Sequence, residues 1–312
     1  MTKQISSHIL MVRPANFGYN AETAENNAFQ TNDQSLSTEE IKKRAVAEFD
    51  AFVETLRNAG VDIIVAQDTE EPIKTDAVFP NNWLTTHENG AVITYPMYSE
   101  MRSRERREDI IEDLGKRFEV KDRFHLEGGE SQNLYLEGTG SLILDRPNKL
   151  AYACTSDRTS VELLDKFCSF TGYKKVLFQS VDRNGIPIYH TNVMMALGET
   201  FVVICMDSIR DPEQNQALRR LFASKDKELI DISLEQMEAF AGNMLQVRNE
   251  SGDTFLVMSS QAYRSLREDQ IEKIHQHTQI LHSPLDIIET YGGGSARCMM
   301  AEVFLPLRAE NS

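Results

Sequence analysis

No apolar stretch of this 312-residue chain approaches the roughly 20 residues that a membrane-spanning helix requires. Met1 to His8 hold no apolar core of a secretory leader, so a cytoplasmic location away from membranes is expected. Basic residues are short: 33 Lys and Arg stand against 48 Asp and Glu, a formal charge of -15. Such a chain has no cationic footprint for nucleic acid or for an anionic membrane, and neither is an expected partner. Cysteine is scarce as well. Cys154, Cys168, Cys205 and Cys298 show no CxxC spacing, and three of them lie inside apolar runs. Neither a zinc site nor a disulfide framework follows from that pattern, and no metal or cofactor is expected.

What is present is ordinary globular material, 41% hydrophobic and 26% charged, enough to bury a sizeable core. The exception is Tyr291-Gly-Gly-Gly-Ser-Ala-Arg-Cys298. Three consecutive glycines permit close approach of a ligand or a second backbone. Cys298 follows them, just before the apolar run Met299 to Leu305. A thiol at such a strand mouth is both held and reachable, which is the setting a nucleophile needs. A lone cysteine also reads as a small buried hydrophobe, so its neighbours in the fold have to decide.

The N-terminal strand, His8 to Val12, leads into a polar loop from Arg13 to Gln34, whose Asn-rich part from Asn16 to Asn32 has the length of a lid. Ser37 opens a helix by a capping box, with Ile41, Ala45, Phe49, Phe52, Val53 and Leu56 on one face. It ends at Gly60, and strand Val61 to Ala66 follows. A unit then recurs at intervals of about fifty residues: a small or polar leading residue, two strands joined by a turn, an amphipathic helix and a third strand. The leading residues are Asn82, Gly140, Asn192 and Asn243, and the predicted helices run Arg104 to Phe118, Ser160 to Phe170, Pro212 to Lys225 and Gln261 to Gln276. Cys298 opens a fifth copy that stops after one strand, and the unpaired N-terminal strand and helix complete it. Pairing the first strand with the last closes a ring. The expected fold is therefore α/β: a five-bladed α/β propeller of ββαβ units closed by the N- and C-terminal strands, one domain over residues 1–312. In such a ring Asn82, Gly140, Asn192, Asn243 and Cys298 face the axis together.

A thiol nucleophile needs a proton shuttle. His190 stands two residues before Asn192 in Ile188-Tyr-His-Thr-Asn-Val193, where an extended backbone puts both on one side. The bland alternative is a histidine satisfied within its strand. A carboxylate is needed too, to orient the substrate and hold the site's charge. Glu137, three residues before Gly140, is one candidate, and Glu127 and Glu130 in Leu126-Glu-Gly-Gly-Glu130 are its competitors.

These motifs, taken in order over nearly the whole chain, resemble the guanidino-group-modifying enzymes: arginine deiminase, dimethylarginine hydrolase and the amidinotransferases. Glu137-Gly-Thr-Gly, a hairpin and Ser156-Asp-Arg158-Thr-Ser160 look like the family's Glu-Gly-Gly-Asp, hairpin, Glu-Arg-Thr, which favours Glu137 over Glu127 and Glu130. His190-Thr-Asn192 is similar to its His-x-Asp, and Phe79-Pro-Asn-Asn82 stands where its Phe-x-Arg-Asp would be. Pro96-Met-Tyr, with Arg102 and Glu105 following, looks like the deiminases' Pro-Met-Tyr segment. The resemblance implies the five-bladed pentein propeller. It implies Cys298, His190 and Glu137 as catalytic residues, and Arg102 and Arg158 as holders of an amino-acid carboxylate.

The departures point to a substrate. Asn82 and Asn192 stand where the family pattern has carboxylates. A guanidinium offers only donors and suits carboxylates. A neutral ureido group adds an acceptor oxygen, which amides match. The Phe79-Pro-Asn-Asn-Trp83 and Gly292-to-Cys298 motifs also resemble a branch assigned to citrulline hydrolysis. Expected is a cysteine-dependent hydrolase taking citrulline to ornithine, CO2 and ammonia through a covalent thio-intermediate, with Asn82 and Asn192 binding substrate. Arginine deiminase, dimethylarginine hydrolase, amidinotransferase and a non-enzymatic amino-acid-binding protein are the alternatives. The partner is a small amino acid, and a homo-oligomer is left open.

Overall fold

The computed structural model describes residues 2–24, 27, 29–31, 33 and 35–309. The chain opens with β1 (His8–Arg13), followed by α1 (Thr38–Asn58) and β2 (Asp62–Gln67). Ser37 caps α1 by accepting a hydrogen bond from the Glu40 amide, and the buried face is the six-residue set read from the sequence. β3 (Leu84–Thr86), β4 (Ala91–Thr94), α2 (Glu108–Arg117) and β5 (Asp122–His125) follow. The next unit is β6 (Ile143–Asp145), β7 (Leu150–Cys154), α3 (Val161–Thr171) and β8 (Lys174–Phe178). After it come β9 (Met195–Leu197), β10 (Phe201–Ile204), α4 (Pro212–Ala223) and β11 (Glu228–Asp231). The last complete unit is β12 (Leu245–Arg248), β13 (Thr254–Ser259), α5 (Ser260–Ser265), α6 (Glu268–His275) and β14 (Gln279–Ser283). Then α7 (Asp286–Gly292) and β15 (Ala301–Val303) end the chain.

Among the described residues these strands form five small mixed sheets of three strands each. In four of them the two hairpin strands pair antiparallel, and the third strand, returning through the helix, pairs parallel to the second. The crossover explains the helix, because a parallel neighbour cannot be reached by a tight turn. In the fifth sheet β15 pairs antiparallel with β1, His8 opposite Val303, and β1 pairs parallel with β2. The two ends of the chain thus supply one repeat between them. Buried side chains fill the space between sheets and helices in four clusters, and Cys298, Met299 and Met300 belong to the one that packs under α1.

Of these seven helices three differ from expectation. The predicted helix from Gln261 to Gln276 is two, because Leu266 is extended and Gln270 turns back to accept from the Arg267 amide, which starts α6 afresh. α2 begins at Glu108 instead of Arg104, after a separate turn, Glu100–Ser103, capped by Ser99. α7 was not expected. No helix among the described residues is long and apolar enough to cross a membrane.

Candidate active site

Each strand that leads a repeat is entered through a tight turn: Pro80–Asn82, Gly138–Ser141, Thr191–Met194, residues 239–242 and residues 296–299. Neighbouring turns are stitched together. Thr139 Oγ1 donates to Asn81 O (3.2 Å) and Thr191 Oγ1 to Ser141 O (2.6 Å). Asn243 Nδ2 donates to Asn192 O, and its Oδ1 accepts from the Arg297 amide, both at 3.0 Å. The stitching brings Asn82, Gly140, Asn192, Asn243 and Cys298 to one place. A Cβ at Gly140 would lie 2.5 Å from Asn82 Nδ2 and 2.7 Å from His190, so glycine is required there.

Cys298, His190, Asn82, Arg102, Arg158 and Asp76 line one cavity of about 20 Å³, with Gly292 to Gly294 on its wall. The Cys298 thiol is 4% exposed and receives Asn192 Nδ2 at 3.4 Å and Asn243 Nδ2 at 3.2 Å. Two amide donors are therefore aimed at one sulfur. His190 caps the Thr191–Met194 turn, so the extended stretch expected through Asn192 is instead a strand-like residue followed by a helical turn. Its Nε2 lies 2.7 Å from Glu137 Oε2, which leaves Nδ1 for proton exchange. Burial pulls the His190 imidazole below its ordinary pKa even against the raising effect of Glu137. Burial would raise the Glu137 carboxyl, but Arg158, the His190 hydrogen bond and Arg102 outweigh it and hold the group ionised.

The two competing glutamates are engaged elsewhere. Glu130 binds Arg106 and accepts from the Met97 amide, while Glu127 meets Thr94 and His125. Arg102 is fully committed on one edge, with Nε and Nη2 each 2.9 Å from Glu105, and its Nη1 donates to Asn82 Oδ1 at 3.0 Å. Arg158 packs over the rings of Tyr98 and Tyr189, and donates to Thr23 O at 2.9 Å. The Asn16-to-Asn32 loop reaches the same cavity. Asn20 Nδ2 donates to Asp76 Oδ2 (2.7 Å), and Asn27 Nδ2 donates to Gly293 O (3.3 Å). Residues 25, 26, 28 and 32 of that loop lie outside the described residues.

Sequence reasoning missed Asp76. It is 2% exposed, its Oδ1 has no hydrogen-bond partner, and Arg102 lies 3.8 Å from its other oxygen. Burial raises its carboxyl above the usual range, against the lowering pull of Arg102. The available signal was an acid six residues before Asn82, in the segment entering that turn. At the leading residues two further buried atoms lack partners, Asn82 Nδ2 and Asn192 Oδ1, as do both side-chain polar atoms of the neighbouring Asn81. Arginine only donates, so its bond to Asn82 Oδ1 fixes which end of that amide is the free donor.

The turn bearing Cys298 is anchored by a second buried carboxyl the sequence did not flag. Ser295 O accepts from the Cys298 amide at 3.0 Å, and Ser295 Oγ donates to Glu289 Oε1 at 2.5 Å. Burial raises Glu289 to about 7 against hydrogen bonds from Ser259 and Ser295, and burial raises Glu48, which caps α7 through the Ile287 and Ile288 amides, to about 7. The folded state therefore holds protons here that the unfolded chain releases near 4.5. Stability from these groups is highest at the acidic end of that window and falls as pH rises to about 7. Glu289→Gln is expected to flatten that fall, seen as a difference between the pH profiles of melting temperature of wild type and variant. Parallel profiles would refute it.

Among the described residues no group of three or more His, Cys, Asp or Glu is placed to hold a metal ion. The profile of the family described as N,N dimethylarginine dimethylhydrolase, eukaryotic, matches residues 13–305. No curated protein sequence matches the chain. Among solved structures, ArgZ, an arginine dihydrolase from the ornithine-ammonia cycle in Cyanobacteria, superposes with a TM-score of 0.74 at 17% identity. The match covers 97% of this chain and 41% of ArgZ, so the chain spans about two-fifths of that protein's length. The N-terminal domain of an ArgZ variant covalently bound to a reaction intermediate is covered over 99% of its length, and 96% of this chain, at 18% identity and a TM-score of 0.73. A dimethylarginine dimethylaminohydrolase variant carrying an S-methyl-L-thiocitrulline adduct gives 0.64 at 16% identity, covering 96% of this chain and 99% of that one. At these identities the likeness is one of fold. The match over residues 13–305 goes further: the chain belongs to the N,N dimethylarginine dimethylhydrolase family, whose members are guanidino-group-modifying hydrolases of non-peptide C–N bonds.

Proposed function

We infer that the protein hydrolyses the ureido group of citrulline to ornithine, CO2 and ammonia. The observation that carries this reading is a pair of unpartnered buried amide atoms, a donor on Asn82, which lines the cavity, and an acceptor on Asn192, whose other end donates to Cys298. A ureido group has one acceptor oxygen and several N–H donors, so it satisfies both. A guanidinium has no acceptor and would leave the Asn82 N–H facing another N–H, at a cost of about 1–3 kcal/mol for an unsatisfied buried group. Arg158, with Arg102 behind it, takes the substrate carboxylate, and the free oxygen of Asp76 takes the neighbouring ammonium. Asn20 and Asn27, bonded to Asp76 and Gly293, lie over the bound amino acid.

In the first half-reaction neutral His190 accepts the Cys298 proton through Nδ1, and the thiolate attacks the ureido carbon. Ionised Glu137 supports the imidazolium that results. The imidazolium gives its proton to the departing amine, so ornithine leaves and a carbamoyl thioester remains. His190, neutral again, takes a proton from water, and the hydroxide displaces Cys298. The carbamate released decomposes to CO2 and ammonia. The five sheets are read as blades of a propeller closed between β15 and β1, one catalytic domain over 1–312 in a cytoplasmic protein.

A second reading, hydrolysis of arginine, is favoured by the acid that Asp76 brings to the cavity and that Glu137 holds next to His190. One assay separates the two. With citrulline and arginine supplied singly and in competition, ornithine and ammonia are expected from citrulline with kcat/KM at least about 100-fold above that for arginine. Turnover of arginine with none of citrulline would overturn the citrulline reading.

A further inference from the structure

Tyr189 precedes His190 in the sequence, and its buried side chain lines the cavity together with Arg158 and Gly293. We propose that Tyr189 is a positioning residue that sets the spacing between Arg158 and the Cys298 thiol, and so selects amino acids by the length of their side chains. This rests on Arg158 holding the substrate's carboxylate, as inferred for the reaction. The carrying observation is a single phenol joined to both ends of the site. Its ring centroid lies 4.8 Å from Arg158 Cζ, and the Tyr98 ring lies 5.6 Å from the same carbon. Its hydroxyl donates to Gly293 O at 2.7 Å. The glycine after that carbonyl abuts the nucleophile: a Cβ placed on Gly294 would lie 3.3 Å from Cys298 Cβ.

Each end of this bridge is fixed. Ser156 Oγ donates to Tyr189 O at 2.7 Å and accepts from the Arg158 amide at 3.2 Å, so one hydroxyl ties the two backbones together. The guanidinium over the ring adds a cation–π attraction that holds its plane. At the other end Gly293 closes α7 with a φ of 62°, its amide donating to Glu289 O at 3.0 Å. Burial and then the nearby Cys298 raise the pKa of the Tyr189 phenol, so its hydroxyl keeps the proton it donates. A tyrosine has two side-chain torsions and is a stiff spacer. Length then decides reactivity. With the carboxylate on Arg158, the carbon under attack has to come within about 3–3.5 Å of the sulfur. One methylene more or less moves that carbon by about 1 Å, a misplacement that costs about 100-fold.

Steady-state kinetics of the full chain on ureido amino acids with two, three and four side-chain methylenes, and on their guanidino counterparts, tests this. The wild type is expected to prefer three methylenes by about 100-fold in kcat/KM. Tyr189→Phe keeps the ring on Arg158 and drops the bond to Gly293 O. It should lower kcat on the three-methylene substrate by about tenfold or more, change KM by less than about threefold, and cut the preference over the four-methylene homologue by about tenfold. Tyr189→Leu, which also takes the ring from Arg158, should raise KM by about tenfold as well. Tyr189→Phe loses one hydrogen bond, so its melting temperature should stay within a few degrees of the wild type. The proposal falls if Tyr189→Phe keeps the wild-type kcat and length preference. It falls equally if kcat drops by one factor on every length with the preference intact, since a merely structural role does that. Wild-type turnover confined to the guanidino series would sink the citrulline reading instead, and the same comparison of variants on that series then decides the role of Tyr189.

Discussion

Cys298→Ala is expected to lower turnover of citrulline by at least about 10⁴-fold while the protein remains folded, measured as kcat alongside a melting curve. The size follows from the chemistry. Neither His190 nor Glu137 is placed to attack carbon, since their near atoms are bonded to each other at 2.7 Å, so the thiol is the nucleophile the cavity offers. The fold survives because backbone holds the turn: the Cys298, Met299 and Met300 amides donate to Ser295, Ala296 and Arg297 carbonyls, and none of these bonds involves the sulfur. Removing the sulfur costs two long contacts, from Asn192 and Asn243, and Asn243 keeps its bonds to Asn192 O and to the Arg297 amide. A loss of about 1 kcal/mol is expected, a shift of a few degrees at most in a chain of this size. Undiminished activity in the variant would remove Cys298 from the scheme.

The repeat was legible because its signals are local. Alternating apolar runs, turn residues and helix caps each speak within a dozen residues, and the strand Leu150–Cys154 and the helix Val161–Thr171 lie within a residue of where pattern puts them. The axial meeting of Asn82, Asn192 and Cys298 was legible only through the repeat, since no single segment contains it. Asp76 and Glu289 were not legible, because what marks them is one unpartnered oxygen each and a degree of burial set by distant segments. The same holds for Arg102. Its position in the Pro96-to-Glu105 segment suggested a ligand for carboxylate, but its bidentate bond to Glu105 and its grip on Asn82 also make it the support of the amide that faces the substrate. The break at Leu266 was hidden for another reason. Helical periodicity runs through it, and the new start depends on one side chain, Gln270, folding back on its own cap.

Asn82→Asp is expected to invert substrate preference: kcat/KM for citrulline falls by about 100-fold or more, and that for arginine rises above it. The substitution changes one atom in kind. Oδ1 keeps its 3.0 Å bond from Arg102, and a carboxylate there strengthens it, so the side chain stays in place and the turn Pro80–Asn82 is undisturbed. The atom replaced is Nδ2, the buried donor with no partner. As an oxygen it would repel the ureido carbonyl and accept from a guanidinium N–H, and its negative charge would offset the substrate's positive one. Asn192→Asp would not isolate the same effect, because its Nδ2 donates to Cys298 Sγ and a carboxylate there would oppose the thiolate. Steady-state kinetics of both variants on both substrates decides the matter. If Asn82→Asp weakens citrulline and arginine equally, the amide supports the turn and does not choose the substrate.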